Sequence, residues 1–347
     1  MRILMPALLL IVTTTVIACT TFCQNGNDSL VFGKNYDWNV EDGHILINPR
    51  GLERKALLMG PGEPMQWTVT HGSITFNQYG RDFPNGGMNE AGLVIEVLWL
   101  AQSRFPREVN KPVLEDLQWI QYQLDTSATI EEVITSTKQI SVRSRAPIHF
   151  MAADRTGATA TFEFLNGQLV VHSGEKMPEP VLANHTYAES VANFNNQGIT
   201  SEFYGKGSLE RFARAAQRTR KGPTNQNPIN YAFATLDNVA QGSYTQWSIV
   251  YDQKQKVIHF KIRSRPKIKF ISMKDVDFKC GQPALFMDLN KSVSGNIVKS
   301  LEKWTPRANL DLIERVFPRV QVTSQIPRPD RERIANWPRK AQCATGQ

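Results

Sequence analysis

The chain has 347 residues, of which 41% are hydrophobic and 21% are charged, so its composition excludes an intrinsically disordered or fibrous protein. The formal net charge is +8. Its basic residues are spread along the chain, and no RNP, zinc-finger or helix-turn-helix signature accompanies them, so we expect no nucleic-acid partner.

The N-terminal residues have the features of a secretion signal. Met1-Arg2 supplies a positive start, residues 3–17 are almost entirely apolar, and the small residue Ala18 precedes Cys19. The apolar run is shorter than the ~20 residues that span a bilayer, so a membrane anchor is the weaker interpretation. The sequence predicts a signal peptide over 1–18, cleavage before Cys19, and a secreted or periplasmic protein with no membrane span.

A second interpretation of the same stretch stays open. Residues 16–19 (VIAC) also resemble a bacterial lipobox, in which the cysteine is lipidated and its amine is usually acylated. Both interpretations place the cleavage site before Cys19, so the position of cleavage does not distinguish between them. Lipid anchoring at Cys19 is therefore the alternative to a free N-terminal cysteine.

A free cysteine at the N terminus carries a thiol and an α-amine on neighbouring atoms. Their reference pKa values are about 8.5 and about 7.7–8.0, so both groups titrate near neutral pH. The amine can act as a general base for the thiol, and the resulting thiolate is a strong nucleophile. Cys19 can thus supply nucleophile and base together, which is the principle of an N-terminal-nucleophile hydrolase.

The chain from residue 19 to residue 282 alternates between strand and helix patterns. Apolar or β-branched runs between turn residues predict strands at 29–36, 93–99, 148–153, 159–164, 168–172, 246–252 and 257–263. Helical patterns, one of them capped by Thr129, predict helices at 113–124, 130–139, 208–218 and 230–239. This pattern indicates an α+β catalytic domain over 19–282, with sheet layers packed against helical layers.

The pattern changes after Pro283. Amphipathic helical stretches are expected at 291–304 and 309–317, followed by a Pro- and Arg-rich tail. We interpret residues 283–347 as a C-terminal extension packed on the same domain.

The chain has four cysteines, and their spacing fits no zinc pattern. In an oxidising compartment Cys280 and Cys343 could pair, which would leave Cys23 as a small buried residue. A bridge between Cys19 and Cys23 is conceivable, but residues four apart on one face of a strand are too distant to bridge comfortably. The six histidines show no metal-ligand spacing, so we expect no metal.

Five blocks of sequence together resemble the choloylglycine hydrolase family of N-terminal-nucleophile amidases, which includes penicillin V acylases and conjugated bile salt hydrolases. The blocks span most of residues 19–265 in family order: 19–21 (CTT) with 33–37 (GKNYD), 87–93 (GMNEAGL), 181–184 (VLAN), 208–212 (SLERF) and 244–252 (YTQWSIVYD). The resemblance implies a four-layer αββα sandwich with two stacked antiparallel sheets. It also implies no metal or organic cofactor, and a possible homotetramer.

Three residues match the family positions around the nucleophile. Cys19 matches the nucleophile itself, and Asp37 matches the acid that holds the α-amine, where a carboxylate can fix the direction of the amine and tune its basicity. Lys34 stands where many members have an arginine beside the sulfur, and a cation there favours the thiolate. Lysine lacks the guanidinium fork, and aligning it requires one residue fewer between Cys19 and Asp37.

Four further residues carry over to the oxyanion site and the pocket. Asn184 matches the asparagine whose amide lines the oxyanion hole, and Arg211 matches an arginine that orders the site. Trp99 occupies a position where other members have asparagine or tyrosine, and its backbone N–H could complete the hole. Together with Trp38, it resembles the Gram-negative branch of penicillin V acylases, some of which cleave acyl-homoserine lactones. We expect both tryptophans to shape an apolar substrate pocket.

The sequence therefore predicts a secreted amidase that hydrolyses a linear C–N amide bond of a small-molecule N-acyl substrate through a thioester on Cys19. Within this class, the tryptophans favour a penicillin V acylase or an acyl-homoserine lactone acylase. A conjugated bile salt hydrolase is the first alternative. A non-catalytic, lipid-anchored binding protein with the same fold is the second.

Overall fold

The computed structural model describes residues 19–26, 28–106, 108, 110–198 and 205–344, so the expected signal peptide over 1–18 lies outside the described residues. The strands, numbered in chain order, are β1 Thr20–Asn25, β2 Leu30–Asp37, β3 His44–Asn48, β4 Leu52–Lys55, β5 Gln66–Thr68, β6 Ser73–Asn77, β7 Gly86–Asn89, β8 Val94–Trp99, β9 Val113–Glu115, β10 Ser141–Arg143, β11 Ile148–Ala153, β12 Thr159–Leu165, β13 Gln168–Ser173, β14 Val181–Leu182, β15 Thr245–Asp252, β16 Val257–Ile262, β17 Arg265–Ser272, β18 Leu285–Asp288, β19 Gly295–Asn296, β20 Glu302–Lys303 and β21 Gln342–Cys343. The α-helices are α1 Asp116–Thr126, α2 Ile130–Thr137, α3 Tyr187–Gln197, α4 Ser208–Lys221, α5 Pro228–Asn238, α6 Pro306–Val316 and α7 Arg328–Asn336.

Two large sheets form the centre of the molecule. The first has the order β14-β1-β2-β15-β16-β17-β19, and the second has the order β13-β12-β11-β8-β7-β6-β3-β18-β20. Neighbouring strands are antiparallel in both sheets, except that β17 and β19 are parallel. The strand that follows Cys19, β1, thus lies inside the first sheet, between β14 and β2.

The two sheets stack face to face, and helices cover their outer faces. Phe76 of the second sheet lies with its ring centroid 5.3 Å from that of Phe260 in the first sheet. Helices α4 and α5 contact the first sheet, whereas α1 contacts the second, with Trp119 4.5 Å from Phe150 between ring centroids. Burying aromatic rings at each interface removes large apolar areas from water. The predicted four-layer αββα sandwich is confirmed.

Several predicted element boundaries were wrong. Residues 291–304 form no α-helix but two short strands and a 3₁₀ turn, because Ser292, Ser294 and Asn296 surround Gly295, whose φ is 71°. Residues Val113–Glu115, predicted as helix, form a strand that pairs with β10, and the helix begins at Asp116.

Helices α3 and α7 were not predicted. The signal for α3 is a capping box, in which the Thr186 hydroxyl accepts from the N–H of Glu189 and the Glu189 carboxylate accepts from the N–H of Thr186. Helix α7 begins in the Pro- and Arg-rich tail, where proline is tolerated in the first helical turn.

Residues after β18 pack with residues of the sandwich in an apolar cluster beside it, which we call the C-terminal cluster. Its buried members include Val40 and Leu57 from the body and Leu312, Phe317 and Ile334 from the C-terminal segment. Cys280 and Cys343 form a disulfide, as the sequence suggested, whereas Cys19 and Cys23 are unpaired and buried. None of the helices in the described ranges combines the length and apolar character that crossing a bilayer requires.

Candidate active site

Cys19 lies directly before β1 and is only 4% exposed. It lines a cavity of about 170 Å³ whose other walls are mostly aromatic and aliphatic. Its sulfur lies 3.9 Å from the backbone carbonyl oxygen of Asp37, within reach of a weak S–H hydrogen bond. The pairing of β1 with β2 causes this proximity, because Thr20 lies opposite Asn35 and the residues at the two strand ends are therefore neighbours.

Asp37 ends β2 with its carboxylate buried between two donors. The hydroxyl of Thr245 donates to one carboxylate oxygen, and the amide of Gln241 donates to the other at 3.3 Å. Burial raises the pKa of Asp37 to about 6, and the charge of Arg211 and the bond from Thr245 oppose that rise. A carboxylate held in this way can orient an amine at Cys19.

Burial raises the pKa of the Cys19 thiol and so favours its neutral form. Lys34 and Arg211 pull the pKa of this thiol down through their charges, while the charge of Asp37 raises it. A buried thiol of this kind needs a nearby base to become a nucleophile.

Lys34 acts on the sulfur through its charge rather than through a hydrogen bond. Its ammonium group donates to the backbone carbonyl of Val97 and lies 3.7 Å from a carboxylate oxygen of Glu96. The hydroxyl of Tyr251 also donates to Glu96, at 2.5 Å. Burial raises the pKa of Glu96 to about 7, with Lys34 opposing the rise. The cation expected beside the nucleophile is present, but it is held by β8 in the neighbouring sheet.

Arg211 connects the nucleophile to Asn184 and is fully buried on α4. Its guanidinium donates to the backbone carbonyl of Cys19 at 2.7 Å, to the hydroxyl of Thr20, and to the side-chain oxygen of Asn184 at 3.0 Å. Although α4 carries several basic residues, this arginine points into the site rather than into solvent. Cys19, Asp37, Asn184 and Arg211 therefore converge.

Asn184 lies in the segment that connects β14 to α3. Its side-chain N–H donates to the backbone carbonyl of Trp99 at 2.6 Å, and its own backbone N–H donates to the hydroxyl of Ser208 at 2.7 Å. These bonds, with that from Arg211, fix the amide plane. The second hydrogen of the amide nitrogen is not used by the bond to Trp99 and is available to an oxyanion.

Trp38 and Trp99 lie side by side on the cavity wall with Cys19. Their ring centroids are 5.7 Å apart.

The backbone of Trp99 is oriented by the pairing of β8 with β11. The N–H of Leu100 donates to the carbonyl of Pro147 at 2.8 Å, and this bond determines which residues of β8 direct their backbone groups toward β11. In this arrangement the N–H and C=O of Trp99 point away from β11, on the side where Asn184 lies.

Comparisons with known proteins identify the family. The family described as linear amide C–N hydrolases, choloylglycine hydrolase family, matches residues 19–235. The chain belongs to the choloylglycine hydrolase family. It is accordingly a hydrolase of linear C–N amide bonds.

Individual relatives include penicillin V acylases and a conjugated bile acid hydrolase. Penicillin V acylase from Pectobacterium atrosepticum is 25% identical over 336 residues, which cover 80% of this chain and 87% of the relative. The structure of penicillin V acylase from Agrobacterium tumefaciens is 28% identical, with a TM-score of 0.75 and coverage of 83% and 98%. A variant of conjugated bile acid hydrolase from Clostridium perfringens, 19% identical with a TM-score of 0.68, covers 80% of this chain and 98% of its own and shares the fold.

One group of residues around this choloylglycine hydrolase site was not singled out from the sequence. His149 and Glu163 are buried neighbours on β11 and β12, and Nδ1 of the histidine lies 3.1 Å from a carboxylate oxygen of the glutamate. The other ring nitrogen, Nε2, donates to the carbonyl of Ala183 at 2.9 Å, directly before Asn184. The predicted strands 148–153 and 159–164 implied this cross-strand pair. Its contact with the segment after β14 needed the tertiary structure.

Proposed function

We propose that this protein is a secreted acylase that uses Cys19, once it is the N-terminal residue, to hydrolyse N-acyl amides of the penicillin V or acyl-homoserine lactone type. The observation that carries the proposal is that the Cys19 sulfur lies in an apolar cavity beside Trp38 and Trp99. Arg211 connects this cysteine to Asn184. The cavity suits an apolar acyl group, and the polar residues suit the chemistry at its carbonyl.

In the first half of the proposed reaction, the thiol of Cys19 attacks the acyl carbon while its own α-amine takes the proton. Asp37 orients this amine, and Thr245 and Gln241 hold the carboxylate. The positive charge of Lys34 lowers the pKa of the thiol and so favours the thiolate. The C–N bond then breaks, and the leaving amine departs with the proton, which leaves a thioester on Cys19.

The negative charge that develops on the carbonyl oxygen needs two donors. The Asn184 amide is one, and the backbone N–H of Trp99 is the other, because both groups lie at the same end of β8. A preorganised donor of this kind contributes about 3–4 kcal/mol to lowering the barrier. Water attacks the thioester in the second half, with the α-amine accepting its proton, and releases the free acid and the thiol.

The position of Cys19 argues against a lipid anchor on its sulfur. The residue is 4% exposed, and the cavity that it lines is enclosed largely by aromatic and aliphatic side chains. A diacylglyceryl group would have to leave the protein through the space that the proposal assigns to substrate. We therefore assign a free cysteine to the mature protein, and a secreted or periplasmic location to the enzyme.

The test of the nucleophile compares two buried cysteines. We expect mass spectrometry of the mature protein to find an unmodified Cys19 as the first residue. Cys19→Ser, with cleavage preserved, should abolish amide hydrolysis because it removes the thiol. Cys23→Ser is the matched control and should keep most activity, since burial raises the pKa of Cys23 to about 12 and leaves it unreactive. Normal turnover by Cys19→Ser, or a diacylglyceryl group on Cys19, would contradict the proposal.

Substrate preference is tested in the same protein with three amides. We expect a higher kcat/KM for penicillin V and for a long-chain acyl-homoserine lactone than for glycocholate, because Trp38 and Trp99 narrow the cavity for a bulky steroid acyl group. A preference for glycocholate would instead identify a conjugated bile salt hydrolase and leave the role of Cys19 intact.

A further inference from the structure

The C-terminal segment contributes a wall to the cavity that contains the nucleophile. Phe317, Val322, Thr323, Ile326 and Ile334 all line the same cavity as Cys19, although they follow it by about three hundred residues. Four of these five side chains are aliphatic or aromatic. They belong to the 3₁₀ turn after α6, the segment that follows it and helix α7.

The order of packing places this wall across Trp38 from Cys19. Cys19 belongs to the main core between the sheets, whereas Phe317 and Ile334 belong to the C-terminal cluster. Trp38 packs against both of these clusters. An acyl group that is bonded to Cys19 and passes Trp38 therefore meets the C-terminal segment next.

Ionic contacts fix the wall to the body of the protein. Asp42, in the loop after β2, accepts from Arg315 at 3.0 Å and from Arg319 at 2.8 Å, on either side of Phe317. Arg315 also binds Asp288 at 2.6 Å. Each exposed pair is weak alone, but two arginines that share one carboxylate hold the turn between them in place.

Hydrogen bonds and the disulfide hold the rest of the segment. The hydroxyl of Thr323 donates to the carbonyl of Phe317 at 3.1 Å, and the indole of Trp337 donates to the carbonyl of Lys55 at 2.9 Å. The disulfide from Cys280 to Cys343 closes the chain around the whole segment. The wall is thus a fixed part of the site rather than a loose tail.

The charges on the cavity lining restrict what can occupy it. Among its lining residues, those with charged side chains are Glu115, Asp116 and Arg145. Asp116 is half-buried and accepts from the backbone N–H of Leu117 and the hydroxyl of Ser144. Anionic side chains outnumber cationic ones, so an acyl group with a terminal carboxylate is disfavoured. A neutral, unbranched acyl chain fits the remaining apolar surface.

We propose that the C-terminal segment, chiefly Val322 and Ile326, closes the far end of the acyl pocket and sets the length of the linear acyl chain that the enzyme accepts. This inference rests on the proposed acylase function. The cavity of about 170 Å³ is slightly larger than the ~150 Å³ cavity that accommodates a benzene ring, so it takes a chain of limited length. In such an apolar pocket, each methylene that fits or fails to fit changes discrimination by about 10- to 200-fold.

The test substitutes a residue of the pocket wall and measures the preference of the enzyme for acyl chains of different length. Ile326→Trp should reduce the ratio of kcat/KM for dodecanoyl- over butanoyl-homoserine lactone at least about tenfold, because the indole fills the end of the pocket. Ile326→Ala should raise the same ratio. Leu310→Trp is the matched control, since Leu310 packs on the same C-terminal cluster without lining the cavity, and it should leave the ratio unchanged.

Binding measurements separate this inference from the proposed function. Calorimetric titration of the mature protein with butanoate, octanoate and dodecanoate needs no turnover. If the protein hydrolyses neither penicillin V nor any of the lactones but Ile326→Trp still selectively weakens dodecanoate binding, the acylase function fails and the pocket assignment holds. If hydrolysis proceeds and Ile326→Trp has the chain-length profile of the wild type, the pocket assignment is overturned.

Discussion

Arg211 joins Cys19 and Asn184, the proposed nucleophile and oxyanion donor, through one rigid group. Its planar guanidinium contacts the Cys19 carbonyl, the Thr20 hydroxyl and the Asn184 side-chain oxygen. A lysine could not make these contacts together, because an ammonium group lacks the fixed fork of donors. The contact with the asparagine oxygen also fixes which end of the amide faces Trp99. The side chain therefore orients the donor that the proposed reaction requires.

Asp37 gives the enzyme an expected pH dependence. Because its pKa is raised to about 6, the carboxylate becomes protonated as the pH falls through that value, and it then loses the negative charge that orients the α-amine in the proposed reaction. We expect kcat/KM to fall on the acid side with a midpoint near pH 6. Thr245→Val removes a bond that lowers the pKa of Asp37, so it should move the acid limb to higher pH. A pH–rate profile of both proteins measures the shift, and an unchanged limb would show that another group controls it.

Protonation of Asp37 is expected to lower activity but to favour folding. The pKa of Asp37 is higher in the folded protein than its ordinary value of 3.8, so the folded state binds the proton more tightly. This stabilising contribution is fully present below pH 4 and is lost as the pH rises through about 6. Activity is therefore expected to rise over the same pH range in which this carboxyl group makes folding less favourable.

At the scale of secondary-structure elements, several strands of the two sheets could be predicted, whereas β1, which follows Cys19, and the contacts between the sheets were not predicted. The predicted strand 148–153 agrees with β11, and strand 246–252 differs from β15 by one residue. Their apolar patterns are local properties of the sequence. By contrast, the contact of Lys34 with Val97 and that of His149 with Ala183 join strands of different sheets. Such contacts depend on the stacking of two sheets, which no local pattern specifies.

The pair formed by β11 and β12 supports the segment that carries Asn184. The Ala183 carbonyl accepts from Nε2 of His149, whose other ring nitrogen faces the Glu163 carboxylate, so the buried ring is held on both sides. The same Glu163 oxygen accepts from the backbone N–H of Tyr187 at 2.9 Å, at the start of α3. One carboxylate thus orients His149, which binds the residue before Asn184, and also binds the first residue of the helix that follows Asn184.

His149→Phe keeps the ring but removes the donor to Ala183. We expect kcat to fall about 10- to 100-fold with little change in KM, because a displaced Asn184 mainly loses contact with the charge of the transition state. His149→Gln, which retains an N–H group, should recover part of that loss. Steady-state kinetics and thermal unfolding of both variants provide the test. An equal fall in kcat for the two variants, or a loss that follows only their stability, would argue against a positioning role.

At the scale of the whole molecule, the C-terminal segment completes a site that the sandwich begins. Trp38 contacts both the core between the sheets and the C-terminal cluster, so the two are continuous beside the cavity. The segment is held at its far end by the disulfide between Cys280 and Cys343 and by pairing of β21 with β4. The stability of this segment is therefore coupled to the shape of the acyl pocket.

The disulfide closes a loop with a sequence separation of 63 residues, which includes α6 and α7. Closing a loop of this length stabilises a folded chain by about 2–4 kcal/mol, mainly by restricting the unfolded state. We expect replacement of both Cys280 and Cys343 by serine to lower Tm by several degrees.

In this double variant, activity toward a long acyl chain should fall before activity toward a short one as the temperature rises, because the pocket wall loosens before the sandwich unfolds. Calorimetry and two-substrate assays over a temperature series measure both effects. Cys23→Ser, which introduces a serine without breaking the disulfide, is the control. Parallel loss of the two activities in the double variant would mean that the segment and the sandwich unfold as one unit.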